Sequence, residues 1–248
     1  MLLHAVFVSL LLLLSALPAS AQILNTLSGF ENRDGWQGQA SGFVRVSGGN
    51  TELEDYLASL VGQWQSERHR VRPIVSWSLS KNQGIETRDD FRAHLRHNYR
   101  LRPGVATLAF AQVQRNPFQQ LESRTLLGAG LRFDLVQDPR RKAGLGISAM
   151  YEHNERTGAG TTDFTRLSVF LDFDRQLKEY LEFAIVGWYQ PDLADFSNLR
   201  ASVVADLAVD LAGPLELVTE GVFEHDSSAP ADVEDSDWSV RLGLRITI

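Results

Sequence analysis

The chain has 248 residues, a net charge of -7 at pH 7 and no cysteine. Without cysteine it has no disulfide bond, zinc–thiolate site or cysteine nucleophile, and it lacks the residue that carries the lipid of a bacterial lipoprotein. An acidic chain binds nucleic acid poorly, so no nucleic-acid partner is expected.

The first segment, residues 1–21, has the features of a secretory signal peptide. An apolar run from Ala5 to Leu17 precedes the small-residue triplet Ala19-Ser20-Ala21, which predicts cleavage between Ala21 and Gln22. The alternative is an uncleaved membrane anchor, but the apolar run is short for a transmembrane helix, which needs about 20 residues. Residues 22–35 then form a short irregular tail, predicted to lie in the periplasm.

From residue 36 onward, stretches of about ten residues alternate between apolar and polar side chains and are separated by turn residues. They exceed the usual strand of about 5–6 residues in soluble proteins and match the roughly 9–11 residues that a tilted strand needs to cross a bilayer. No linker or repeat interrupts the series, so 36–248 is predicted to be one domain. The twelve predicted strands are 36–48, 53–66, 71–81, 88–101, 105–115, 123–136, 142–153, 163–174, 179–190, 198–211, 214–225 and 237–248.

The last predicted strand, 237–248, alternates without an error. Its apolar face holds Trp238, Val240, Leu242, Leu244, Ile246 and Ile248, and its polar face holds Ser239, Arg241, Gly243, Arg245 and Thr247. We expect this strand to pair with 36–48 and close a barrel, because closure leaves no free edge. The strands at 53–66 and 105–115 are ambiguous, since apolar residues occur on both of their faces.

The connections between strands are of two kinds. The even-to-odd connections are short (HRVR, RPG, QDPRR, RQLK and AGP), whereas the odd-to-even ones are mostly longer, such as HDSSAPADVEDS. Short turns on one side and longer loops on the other are typical of outer-membrane barrels. The pattern predicts an all-β, up-and-down antiparallel transmembrane barrel of about 12 strands, with the N- and C-termini both periplasmic.

A soluble β-sandwich or barrel would alternate in the same way, with its apolar residues inside. The choice of cation argues against that alternative. The only lysines are Lys81, Lys142 and Lys178, at strand ends or in connections, and the other 21 basic residues are arginine. Arginine is favoured in a narrow lumen lined by opposed charges, because its planar group pairs bidentately and is weakly hydrated.

The polar faces of the strands supply the candidate lumen-lining residues. They are Arg92, His94, Arg96, Arg100, Arg124, Arg132, Arg166, Asp172, Asp206, Asp210, Glu216, Glu220, Arg241 and Arg245. The strand at 88–101 is basic, whereas the strands from 163 to 225 carry most of the acids. Two arrangements remain open: a transverse electric field across a wet lumen, or arginines that reach across and fill the lumen with ion pairs.

No phosphate loop, zinc-binding helix motif or nucleophile elbow occurs, so no catalytic, cofactor-binding or metal-binding residue is predicted. His97 falls on the predicted lipid face near the periplasmic end. Several groups fall near the extracellular rim, namely Glu152, His153, Asp192, Asp195, Glu224, His225 and Asp226. We interpret them as a solvated acidic rim that binds divalent cations between lipopolysaccharide phosphates, with a hydrolytic or metal site as the alternative.

Residues 99–135 and the SGGNTE of 47–52 resemble the salt-induced outer-membrane protein family. The resemblance is carried by Gln114-Arg115 at a strand end, Phe118 in the following loop, Arg124, and the Leu-Gly-Ala-Gly of 127–130. The chain departs from the pattern at Asn116, where an acid is expected, and at Ile248, where an aromatic residue is common. The family implies an outer-membrane barrel of unknown function and supplies no catalytic residue.

These observations predict a narrow outer-membrane channel for small polar or charged solutes. The first alternative is a structural envelope barrel with an ion-pair-filled lumen, and the second is an outer-membrane hydrolase. The expected partners are outer-membrane lipid, lipopolysaccharide and, during biogenesis, the barrel-assembly machinery. No cofactor is expected, and the pattern does not specify an oligomeric state.

Overall fold

A computed structural model of the chain describes residues 30, 33–48, 52–229 and 233–248. The predicted signal peptide, most of the predicted tail 22–35 and part of the SGGNTE turn lie outside the described residues. The strands are β1 (Gly35–Ser47), β2 (Leu53–Gln65), β3 (His69–Asn82), β4 (Ile85–Arg102), β5 (Val105–Asn116), β6 (Leu121–Asp138), β7 (Arg141–Arg156), β8 (Gly160–Lys178), β9 (Leu181–Pro191), β10 (Leu199–Ala212), β11 (Leu215–Asp226) and β12 (Ser236–Thr247).

The strands form a closed barrel in which each strand pairs with its neighbours in sequence and β1 pairs with β12. All pairs are antiparallel, and the seam places Ser41 opposite Arg245 and Gly42 opposite Leu244. Each of the twelve predicted strands is confirmed to within a few residues, and so is closure by the last strand. No helix among the described residues is long and apolar enough to cross a membrane.

The two ends of the barrel differ, as predicted. We call the end with the short even-to-odd turns the turn end, and the opposite end the loop end. Two connections that were expected to be long loops are tight turns instead, because their flanking strands continue further than predicted. At 83–84 the backbone of Gln83 and Gly84 has positive φ (51° and 75°), which suits a two-residue hairpin turn.

Burial is inverted relative to a soluble β-protein. The side chains of Arg166 and Glu152 are 0% exposed, whereas Leu171 is 56% and Leu244 is 48% exposed on the outer surface. An outer surface this apolar is stable only when it is covered, and alternation with apolar residues outside is typical of membrane barrels. The soluble sandwich with an apolar interior is therefore wrong for this chain.

Aromatic residues form rows near both ends of the outer surface. At the loop end, Trp77 pairs with Phe91 and Phe223 pairs with Trp238, and all four rings are exposed. At the turn end, Trp36 lies opposite Trp64. Rows of this kind mark the two membrane–water interfaces of a barrel, with the aliphatic band between them.

The inverted burial gives a direct test on β12. Leu244→Arg places a charge on the apolar outer surface, and we expect it to lower the free energy of unfolding in lipid vesicles by about 2–4 kcal/mol near the midplane. The control, Leu244→Met, conserves volume and should cost less than about 1.5 kcal/mol. Urea titration followed by tryptophan fluorescence measures both, and equal losses would mean that Leu244 does not face lipid.

Candidate functional site

The candidate site is the lumen. The structure places all of the candidate lumen-lining residues on the inner face of the barrel, where alternation puts them opposite the exposed apolar set. Most are buried or half-buried, whereas Arg100 and Asp210 are exposed at the turn end. From the loop end inward, the lumen has three parts: a cluster of ion pairs, an apolar layer, and a chamber lined by separated charges.

The loop end is filled by an arginine cluster, made of Arg124, Arg156, Arg166, Arg200, Glu152 and Asp226. Glu152 on β7 lies 2.9 Å from Arg166 Nε and 2.5 Å from Arg200 Nη1. Arg200 also bonds Asp226 on β11 at 2.9 Å. Because these residues come from strands on different sides of the barrel, their ion pairs span the lumen.

The cluster has additional hydrogen bonds that support its charges. Arg124 donates to Asn154 Oδ1 at 2.6 Å, and Asn154 in turn donates to Glu152 at 2.6 Å. Arg166 donates to the carbonyl oxygens of Gln190 and Asn198 at 3.1 and 3.0 Å. Buried charges are tolerated only with such partners, so this end of the lumen matches the ion-pair-filled arrangement.

An apolar layer crosses the lumen beneath the cluster. It is built from Leu108, Phe170, Val186, Trp188, Val204 and Val222, with Phe110 packed against them. All six core members are at most 8% exposed. The alternation did not predict this layer, because the polar faces were identified by their charged residues and the apolar residues between those charges were overlooked.

Glycines on β6 and β7 make room for the rings of this layer. A Cβ atom on Gly146 would lie 2.0 Å from the ring of Phe170, and one on Gly128 would lie 2.3 Å from the ring of Phe110. Both distances are far below van der Waals contact, so each ring can pack over its partner glycine on the adjacent strand only because these positions lack side chains. In the sequence, the glycines on the polar faces were the feature that could have indicated large side chains packed over these positions.

The layer continues around most of the wall. Among the described strands, all except β4 and β12 place at least one apolar side chain on the inner face. Beyond the core members and Phe110, they include Phe43, Leu57, Val61, Ile74, Leu126, Met150, Phe164 and Val218.

Strand β4 breaks the apolar layer with polar side chains. His94 Nδ1 lies 2.9 Å from Gln112 Oε1, and the Arg96 guanidinium lies 5.1 Å from the centre of the Phe170 ring. The cavity beside them, bounded on the far side by Trp188 and Gln190, has a volume of about 10 Å³. That is room for about one water molecule.

Charges of opposite sign are separated at the turn end. The basic wall consists of Arg70, Arg72, Arg96 and Arg100 on β3 and β4, and the acidic wall consists of Asp174, Glu182, Asp206, Asp210 and Glu216 on β8 to β11. Arg132 bonds Asp172 bidentately at 2.6 and 3.0 Å, and Arg245 bonds Glu216 at 2.5 Å. Ion pairs thus also form at the turn end, where the two walls lie on opposite sides of the lumen.

One residue before β1 also lies at the turn end. Phe30, in the predicted irregular tail, is 8% exposed and packs 5.4 Å from the guanidinium of Arg72. Arg72 itself donates to Gln63 Oε1 at 2.6 Å. The tail therefore contributes a ring to the basic wall.

The histidines near the loop end do not assemble a site with the acids. His153 bonds Asp163 at 2.8 Å on the outer face, whereas its sequence neighbour Glu152 points into the arginine cluster. His225 bonds Ser236 Oγ at 2.9 Å. Within the ranges that the structure describes, no group of three or more His, Cys, Asp or Glu residues could hold a metal ion.

Two other candidate groups are accounted for locally. Asp195, in the β9–β10 loop, accepts hydrogen bonds from the hydroxyl and backbone N–H of Ser197, which lower the pKa of its carboxyl group. His97 lies on the outer face near the turn end, as predicted, where its Nε2 is 3.0 Å from His69 Nδ1. Neither arrangement supplies a nucleophile.

The arginine cluster predicts a large effect of removing its central acid. Glu152→Gln leaves buried arginines without their carboxylate, and we expect a loss of about 3–5 kcal/mol of unfolding free energy. Glu155→Gln is the matched control, because the Glu155 side chain is 50% exposed, and it should change stability by less than about 0.5 kcal/mol. Urea titration in vesicles compares them; a harmless Glu152→Gln would show that the cluster does not stabilise the barrel.

Solved structures with the same fold include two outer-membrane proteins. The NanC porin is 10% identical with a TM-score of 0.54, over 85% of this chain and 98% of the porin. An outer membrane channel from Pseudomonas putida F1 is 11% identical with a TM-score of 0.52, over 88% of this chain and 96% of the channel. At such identities the likeness shows the barrel fold alone.

The curated proteins include no match to this chain. Residues 42–248 match a protein family described as a protein of unknown function, DUF481. That range covers nearly all of the barrel domain. The chain therefore belongs to the DUF481 family.

Proposed function

We propose that the protein is a narrow outer-membrane channel for small polar or charged solutes, with a path that follows β4. One observation carries this proposal: β4 presents polar side chains at its inner positions through the full depth of the apolar layer. They are Arg88, Asp90, Arg92, His94, Arg96, Asn98 and Arg100. A polar row across an apolar constriction gives water and small solutes hydrogen-bonding partners at every step.

The narrow cavity beside Arg96 sets the size of the solute. A space of about 10 Å³ admits little more than a water molecule until a side chain moves. Arg96, which borders this cavity, stacks on Phe170. The channel is accordingly selective for small solutes, and the separated charges of that chamber orient dipolar ones.

The proposal includes a location. The apolar band between two aromatic rows, the arginine-lined interior and the strand lengths support the outer membrane of a Gram-negative cell. The loop end then faces outward and both termini face the periplasm, after cleavage of the signal peptide near Ala21/Gln22. Lipid, lipopolysaccharide and the barrel-assembly machinery are the corresponding partners. A role in salt stress, implied by the family resemblance, belongs to the same proposal.

A structural envelope barrel without transport is the second candidate. It is favoured by the arginine cluster, because Glu152 and Arg166 are 0% exposed and fill the loop end. Conductance distinguishes the two candidates. A hydrolase is not favoured, because His153 and His225 lie on the outer face, away from the buried acids.

The apolar layer predicts a gain of conductance on truncation. Trp188→Ala removes a ring that bounds the narrow cavity, and we expect single-channel conductance in planar bilayers to rise several-fold. Tyr189→Ala is the matched control, because Tyr189 is 47% exposed on the outer surface. Heat-modifiable migration shows that each variant is folded; if Trp188→Ala is not, Trp188→Leu serves. Folded protein that conducts in neither form would support the structural barrel.

The β4 path predicts a change of ion selectivity. Arg92→Glu with Arg96→Glu reverses two charges on the proposed path, so the reversal potential in a salt gradient should shift toward cation selectivity. The same double reversal at Arg140 and Arg141, which are exposed at the turn between β6 and β7, should shift it far less. Equal shifts in the two variants would place the path elsewhere.

A further inference from the structure

The seam that closes the barrel is paired along only part of its length. The β1–β12 ladder joins 39–42 to 244–247, and backbone hydrogen bonds of 2.7 and 2.8 Å between Gly38 and Ile248 extend it at the turn end. By contrast, β1 pairs with β2 from Gly35 to Ser47, and β12 pairs with β11 from Ser236 to Ile246. Toward the loop end, no ladder joins 43–46 to 239–243 among the described residues.

Two facing edges inside a membrane wall are costly. Each backbone N–H or C=O left without a partner in hydrocarbon costs several kcal/mol, which is why membrane barrels are closed. The outward side chains of β1 in this stretch are widely exposed, Val44 at 67% and Val46 at 66%. Water or a ligand with polar groups must therefore reach this stretch of the wall.

The inner face beside the gap carries both apolar and charged side chains. On the β1 side Phe43 pairs with Leu57, and on the other side β11 adds Val222 behind Ser239 of β12. Ion pairs lie on both flanks: Arg45 with Asp55 at 2.5 Å and Arg241 with Glu220 at 2.6 Å. A molecule in the gap meets apolar side chains from the lipid side and charged groups from the lumen side.

We infer that the unpaired half of the β1–β12 seam is a lateral opening for a small amphiphile, through which it passes between the lumen and the outer leaflet. The apolar body contacts Val44, Val240 and Phe43, and the polar end bonds the free backbone groups and the Arg241–Glu220 pair. A second copy of the chain fits less well. The edges of β1 and β12 face each other within the same barrel wall, so a strand inserted between them would push them apart. The inference rests on the proposed membrane location and channel function.

The geometry of the seam is testable with cysteine pairs, since the chain has no cysteine of its own. Ala40→Cys/Ile246→Cys lies in the paired half, where these residues are direct partners. Val44→Cys/Leu242→Cys is the equivalent pair of positions four residues closer to the loop end on β1 and β12. With copper-phenanthroline, the first pair should form an intramolecular disulfide at least tenfold faster, because bridging requires Cα atoms within about 7 Å. Equal rates would mean a closed seam and would overturn the inference.

The function of the opening is tested by stapling it. A bismaleimide linker across Val44→Cys/Leu242→Cys should slow uptake of 11-(dansylamino)undecanoic acid by intact Gram-negative cells at least fivefold, with ion conductance unchanged. The same linker across Ala40→Cys/Ile246→Cys should change neither the uptake of the fatty acid nor the ion conductance. Undiminished uptake, or disulfide-linked dimers of the single variant Val44→Cys, would overturn the inference, the latter in favour of a second copy at the edge.

Failure of the ion path and failure of the lateral opening give different results. If no variant conducts ions but stapling still slows uptake, the proposed ion path fails and the lateral opening stands. If the paired cysteines prevent folding, hydrogen exchange of the unmodified protein decides: amides at 43–46 should exchange much faster than those at 39–42. Equal protection of the two stretches would also overturn the inference.

Discussion

The exclusion of charge from hydrocarbon determines the arrangement of this barrel. Lipid can solvate neither an unpaired peptide group nor a guanidinium, so the sheet closes and every mid-strand charge points inward. Once inside, the buried charges are stabilised by each other and by polar neighbours, because a desolvated charge needs a partner. The pairs Arg166–Glu152 and Arg132–Asp172 therefore form because the lipid outside excludes these charges and the lumen brings them together. The same constraint makes the incomplete seam unusual.

The apolar layer solves a packing problem that charges alone cannot. A wall lined only with arginine and carboxylates leaves gaps between flexible side chains, whereas flat rings fill a cross-section efficiently. Phe170 and Phe110 occupy the space left by Gly146 and Gly128, and Arg96 stacks on Phe170. The lumen therefore combines an apolar part, formed by rings over glycines, with a polar part along β4.

The strands were predictable because period-two alternation and turn residues are local signals. They also predicted which residues face inward, including Arg245 against Leu244. The partners of those residues were not predictable, because Arg200 meets Glu152 only through the stagger of twelve strands around the barrel, which no local pattern specifies. The apolar layer was missed for a related reason: Gly146 is unremarkable in its own strand and becomes complementary to Phe170 only when β7 pairs with β8. The extent of the β1–β12 ladder likewise depends on strand positions that are far apart in sequence.

The contrast between the two ends of the lumen makes them respond differently to ionic strength. Ions reach charges that face water and weaken their interactions beyond a Debye length of about 8 Å at physiological salt, but they barely penetrate a desolvated pair. The arginine cluster, with side chains at 0% exposure, keeps its interactions in brine. The turn-end walls include Arg100 and Asp210, which are exposed to solvent and whose interactions salt weakens. The barrel thus keeps its shape across a wide range of salinity, while the electric field at the turn end rises as the surroundings become dilute.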